Sequence, residues 1–247
     1  MTRFAATIGC MAPSTTQGSG DTRPRPDRSI RHAIAGRYGT HARRGYVRGK
    51  LAGDPVYAAM AAVLADAAPL PLLDIGCGMG LLGQYLHACG TLHGYLGIDH
   101  DERKIDSARQ AAAALGDSLQ WRCADAAVLP DFHGHVALLD VLHYLPADRQ
   151  AALLALACRH LAPGGRLVIR NVLREANWRY HATRVEEFFL HATGWMRVAP
   201  QHYPSAAEIR AGLEDAGLLV RIEPLRGRTP FNSYLVVAQR PPAPAAP

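Results

Sequence analysis

The segment Leu72-Leu73-Asp74-Ile75-Gly76-Cys77-Gly78-Met79-Gly80 constrains this 247-residue chain more than any other. A short apolar run ends in three glycines at alternate positions, and a stretch of helical character (81–89) follows at once. That succession opens a βαβ unit, because glycine tolerates the tight dihedrals of the turn and lets a ligand approach the bare backbone. The dinucleotide fingerprint G-x-G-x-x-G needs glycine at 81, where the chain has Leu81, and a phosphate-binding loop needs Gly-Lys-Ser/Thr, which is absent. A purely structural glycine turn is the bland alternative.

The same rhythm continues along the chain. Strands are expected at 70–75, 94–99, 118–122, 135–139, 165–170, 218–222 and 233–238, with helices at 81–89, 102–115, 146–160 and 205–216. Strands alternating with helices imply an α/β fold with a mostly parallel sheet covered on both faces. Upstream, Asp54 can cap a helix and Pro55 suits its first turn, so the alanine-rich run to Ala68 reads as helical until Pro69 and Pro71 end it. Residues 1–28 are rich in Pro, Gly and polar groups and read as a disordered leader. A single domain then spans 29–240, with an N-terminal arm (29–69) and a cap insertion (173–204) rich in aromatic residues; the tail 241–247 reads as disordered.

Charge is uneven. Residues 1–50 hold ten Arg/Lys against two Asp, and the remainder 17 basic against 19 acidic. A basic arm can meet nucleic acid or anionic lipid. This one has few aromatic residues among its charges for bases to stack on, which favours a solvated leader. No window offers the roughly 20 apolar residues of a membrane span. The five cysteines (Cys10, Cys77, Cys89, Cys123, Cys158) contain no C-x-x-C pair, which argues for a reducing, cytoplasmic setting and against a disulfide framework or zinc site. No carboxylate cluster suggests another metal.

Two further acids follow strands. Asp99 closes the second strand 23 residues after Gly76, where a carboxylate lies beside the ribose of a nucleoside over the first strand. Asp125, just past the third strand, can accept from an adenine amino group while the N–H of Ala126 faces a ring nitrogen. At these residues the chain resembles the class I methyltransferases that use S-adenosylmethionine (SAM). Asp74, Gly76, Gly78 and Gly80 match the motif that holds the methionine part, Asp99 the ribose-binding acid, and Asp125 with Ala126 the adenine-binding pair. The match runs over roughly 54–172, including Asp140 to Leu145 and the 161–170 turn and strand. The resemblance implies SAM as cofactor and a Rossmann-like three-layer sandwich. Its seven-stranded, mostly parallel sheet has an antiparallel last strand near 231–238. The residues it nominates around SAM are Asp74, Gly76, Cys77, Gly78, Gly80, Asp99, Asp125, Ala126, Asp140 and His143.

Methyl transfer is an in-line displacement at an activated carbon, so the protein mainly aligns the acceptor and excludes water. His143 can serve as a base, contact the cofactor's sulfonium side, or be a structural residue of its turn. The Asn/Asp-Pro-Pro-Tyr/Phe motif of nucleic-acid amine methylation is absent after the fourth strand, and no Pro-Cys dipeptide exists. A small-molecule acceptor is therefore favoured over nucleic acid. A narrower resemblance, carried by residues 46–51, 54–57, 140–145 and 228–232, is to methyltransferases of bacterial aryl-polyene pigment clusters. It implies an aromatic or polyene-precursor acceptor, free or carrier-bound, and a cofactor-binding Lys50 that meets the methionine carboxylate of SAM. Candidate acceptor contacts are Tyr144, Trp178, Tyr180, His181, Phe231 and Asn232. Alternatives are an RNA or protein methyltransferase using the basic arm, and a SAM-binding regulatory protein without turnover.

Overall fold

One sheet organises the computed structural model of the chain. Its strands are β1 (Leu72–Ile75), β2 (Tyr95–Asp99), β3 (Leu119–Cys123), β4 (His135–Leu139), β5 (Arg166–Val172), β6 (Leu219–Pro224) and β7 (Ser233–Gln239). The structure describes residues 28–126, 128–129, 131–175, 180, 200–227 and 232–241. Residues 1–27, most of the expected cap and the tail from 242 lie outside the described residues. Strand order is β3-β2-β1-β4-β5-β7-β6. The pairs among β1 to β5 are parallel, and β7 runs antiparallel to both β5 and β6, as expected.

Helices α1 (Arg28–Gly36), α2 (His41–Gly53), α3 (Val56–Ala65), α4 (Leu81–Ala88), α5 (Glu102–Ala112), α6 (Ala147–Arg159) and α7 (Ala206–Glu214) flank the sheet. The short central strand β1 shows why there are three layers. Leu72 joins an apolar cluster with Leu51, Met60, Leu86 and Ile105, whereas Leu73 and Ile75 join a second with Leu153, Ala157 and Leu213. Alternate strand residues point to opposite faces. With each fully buried Leu or Ile contributing about 1.5–3 kcal/mol, both faces of β1 must be covered by helices. The arm helices belong to the first cluster, since Ile34, Tyr38, Val47 and Leu51 are fully buried. Arg28, grouped with the leader in the sequence reading, is the first residue of α1.

Several boundaries depend on partners that are distant in sequence. Helix α3 stops at Ala65, not Ala68, where Arg166 binds the Val63 carbonyl and the Asp66 carboxylate. Strand β5 runs on to Val172 because Asn171 and Val172 pair with Tyr234 and Ser233 of β7. Strand β6 likewise extends to Pro224, opposite Tyr234. A proline is tolerated there because β6 is an edge strand. No helix among the described residues is long and apolar enough to cross a membrane.

Candidate functional site

The chain runs outward from β1 to β2 and β3, then returns to β4 on the other side of β1. The loops after β1 and β4 therefore diverge at a topological switch point, where open α/β sheets bind ligands. Gly76, Gly78 and Gly80 all have left-handed φ, at 80°, 57° and 74°. The amides of Gly76 and Cys77 both donate to the Ile98 carbonyl (2.7 and 3.0 Å), which folds the turn over the end of β2. A Cβ on Gly76 would lie 2.5 Å from Val141 Cγ2, and one on Gly80 2.7 Å from Trp121 Nε1. These two glycines answer to packing. Among the described residues a Cβ on Gly78 would meet nothing within 4 Å, so that backbone borders space a ligand can fill.

Asp99 sits buried at the end of β2, its Oδ2 accepting from Gly78 N and its Oδ1 from Asp101 N, both at 3.0 Å. Lys104 Nζ lies 3.7 Å away. An ionised carboxylate has about four acceptor positions, so capacity for further hydroxyl donors remains. Gly97 precedes it for a steric reason: a Cβ there would lie 2.8 Å from both Cys77 Sγ and Trp121 Cδ1. The Cys77 side chain thus faces β2. Burial, with Asp74 and Asp99 nearby, pushes its thiol far above the usual range, so it stays protonated.

Asp140 follows β4 and has φ 58°, the one non-glycine left-handed residue among those described. Its amide donates to the Arg170 carbonyl (2.8 Å) and its carboxylate pairs with the Arg170 guanidinium. His143 lies in the 3₁₀ turn Leu142–Tyr144 and is buried. Its Nδ1 is 2.8 Å from Asn171 Oδ1. Asn171 Nδ2 donates to the Val172 carbonyl, and its Oδ1 also accepts from the His143 amide. The amide orientation is thereby set, so Nδ1 of neutral His143 carries the proton and Nε2 is the basic nitrogen. The imidazole stacks on Tyr203, with ring centres 6.1 Å apart, and tilts against Tyr144 at 4.1 Å.

A family model described as a methyltransferase domain matches residues 72–165, from the start of β1 to the turn before β5. The chain therefore carries a methyltransferase domain. A ubiquinone biosynthesis O-methyltransferase of Sinorhizobium fredii is 26% identical over 187 residues, covering 70% of this chain and 73% of that protein. One from Parvibaculum lavamentivorans is 29% identical over 164 residues, covering 64% and 61%. Among solved structures, magnesium protoporphyrin IX methyltransferase of Synechocystis with bound SAH superposes with a TM-score of 0.61 at 20% identity, covering 82% of this chain and 88% of that one.

Other nominated residues of the methyltransferase fall in different surroundings. Asp74 is buried beneath the glycine turn, accepting from the Tyr95 hydroxyl at 2.6 Å, so it supports the turn from below. Burial pushes its carboxyl up to about 7, against the Tyr95 hydrogen bond, with Asp99 adding to the rise. A carboxyl raised in the folded state contributes stability that is complete below the unfolded value of about 4 and is lost as pH rises toward 7. Asp74→Asn, uncharged throughout, is expected to match the wild type near pH 4. Its advantage should grow to about 4 kcal/mol at pH 8, read from denaturant titrations at both pH values. A constant difference would exclude a buried, ionising Asp74.

Lys50 Nζ pairs with Asp54 at 2.9 Å, so its charge meets a carboxylate of the arm. Asn232 Nδ2 donates to the Leu173 carbonyl (3.0 Å), tying the start of β7 to the end of β5. Asp125 is exposed, and Ala126 is half-buried against the second apolar cluster. Tyr144 is half-buried, and Tyr180 meets Tyr203 edge-on at 5.5 Å. Trp178, His181 and Phe231 lie outside the described residues. Among the described residues no His/Cys/Asp/Glu group could hold a metal ion. A cavity of about 480 Å³ between α3 and the β6–β7 edge includes Val63, Leu219 and Val237 and none of the nominated residues.

Sequence reasoning missed two supports. Tyr38 of the arm donates to the Met79 carbonyl in the glycine turn (2.7 Å) and accepts from Gln84 Nε2 of α4 (2.8 Å). Asn171 orients His143 from β5. Neither forms a local motif with its partner.

Proposed function

We propose that this methyltransferase acts on a small-molecule acceptor, with its cofactor at the switch point between β1 and β4. The observation that carries the reading is the convergence of open backbone at Gly78, the buried Asp99 carboxylate and the Asp140–His143 turn. The glycine turn from Gly76 to Gly80, with Cys77, holds the methionine part, and Asp74 supports it. Asp99 accepts from the ribose, Asp125 and Ala126 meet the adenine, and Asp140 and His143 border the reacting end. Lys50 fixes the arm beside them. SAM, when bound, supplies an activated methyl group on a sulfonium centre. The chain's own task is to align the acceptor, exclude water and, for a hydroxyl nucleophile, take up its proton.

Support for a small acceptor comes from the missing nucleic-acid motifs after β4 and from relatives named ubiquinone biosynthesis O-methyltransferases. The resemblance over 46–51, 54–57, 140–145 and 228–232 points more narrowly to an aromatic or aryl-polyene precursor, free or carrier-bound. Calorimetry is expected to show binding of SAM and not NAD. Assays that follow SAH release over a panel of phenolic and polyenoic acids should identify a substrate. SAM binding without turnover on any acceptor would favour a regulatory protein, and methylation of RNA or protein alone would refute the small-molecule reading.

His143 has a specific expectation. With Nε2 as the proton acceptor, His143→Gln should lower kcat about 100-fold while the KM for SAM changes little. An unchanged kcat with weakened SAM binding would assign His143 to cofactor contact instead.

A further inference from the structure

We propose that Arg170 is a positioning residue: held by Asp54 of the arm, it pins Asp140 in its left-handed conformation and so sets the spacing between the β4 turn and the glycine turn. This rests on the reading that the two turns flank the cofactor. Four charges of alternating sign connect the arm to the site. Lys50 Nζ on α2 pairs with Asp54 Oδ2 at 2.9 Å, and Arg170 Nη2 on β5 reaches the same oxygen at 3.0 Å. The other terminal nitrogen of Arg170 pairs with Asp140. Burial alone would raise the Asp54 carboxyl, but Arg170, Lys50 and the Val56 amide hold it below its usual range, so it stays ionised and keeps its grip.

The guanidinium is itself buried, and its Nε has no hydrogen-bond acceptor among the described residues. Its orientation is therefore set by the two carboxylates at its terminal nitrogens. An aspartate at φ 58° is strained relative to glycine, and the fork of Arg170 opposes that strain. The consequence reaches the glycine turn through one residue. Val141, next in the chain, places Cγ2 2.5 Å from where a Gly76 Cβ would sit. A shift at Asp140 moves Val141, and Val141 is the wall of the turn.

The fork matters more than the charge, since a lysine ammonium is one point charge and cannot hold two carboxylates at the fixed spacing of the two guanidinium nitrogens. Arg170→Lys keeps the charge balance and is expected to weaken SAM binding about tenfold by calorimetry. Without SAM, amide exchange of Tyr144 and Leu145, which donate to Val141 and Leu142, should quicken about tenfold or more. Adding Asp140→Gly should recover at least threefold in affinity over Arg170→Lys, because glycine adopts the conformation without a pin. If Arg170→Lys does not fold, Asp54→Asn, which leaves the Arg170–Asp140 pair in place, should show the same two changes with about threefold effects. A folded variant with wild-type exchange and wild-type SAM affinity overturns the pin while leaving the site standing. A wild-type protein that fails to bind SAM overturns the site and the pin together.

Discussion

Replacing Asp99 by alanine is expected to weaken SAM binding by about 100-fold or more. Hydrogen bonds to a charged group contribute about 1.5–3 kcal/mol each, and a ribose offers two hydroxyls to one carboxylate. Even the lower figure, doubled, corresponds to about two orders of magnitude in affinity. The variant also loses the acceptor of the Gly78 amide, which helps hold the turn. Asp99→Asn keeps the shape without the charge and should fall between the two. Calorimetric titration with SAM reads the series, and an affinity within threefold of wild type in Asp99→Ala would remove Asp99 from the ribose.

The glycine turn should give an equally large effect, split between stability and binding. Gly76→Ala imposes left-handed strain of about 1–2 kcal/mol on an alanine. Its methyl group also collides with Val141 Cγ2 at 2.5 Å, and overpacking of this kind costs about 1–3 kcal/mol. Together they approach the whole stability of a marginal domain, roughly 5–15 kcal/mol. Gly78→Ala carries the strain without the collision, because its Cβ meets no atom of the described residues within 4 Å. It should unfold only slightly earlier in urea yet bind SAM at least tenfold more weakly, since the methyl enters the space a ligand needs. Unchanged SAM affinity in Gly78→Ala would show that the cofactor does not approach there.

The polar supports of the site are where sequence and structure part. Asp74 belongs to the most legible segment, yet its carboxyl is turned down onto Tyr95. Motif membership locates a residue on the strand but does not say which way a period-two side chain finally faces. Lys50 was nominated for a ligand carboxylate, and it stands in an ion pair one helical turn from Asp54. Asn232 was nominated for an acceptor, and its amide bridges two strand ends. In each case a long-range partner is the reason, and no window of local sequence contains it.

By itself the sequence determined the strand–helix rhythm, the glycine turn and the acids at successive strands, because these follow from hydrophobic period, backbone freedom and side-chain chemistry within a few residues. Only the tertiary structure decided that Tyr38 holds Met79, that Asn171 selects the protonated nitrogen of His143, and that Arg170 joins Asp54 to Asp140. These pairs are separated by 28 to 116 residues. The separation is the physical reason: a hydrogen bond acts over about 3 Å of space, and what brings its ends together is the packing of the whole sheet.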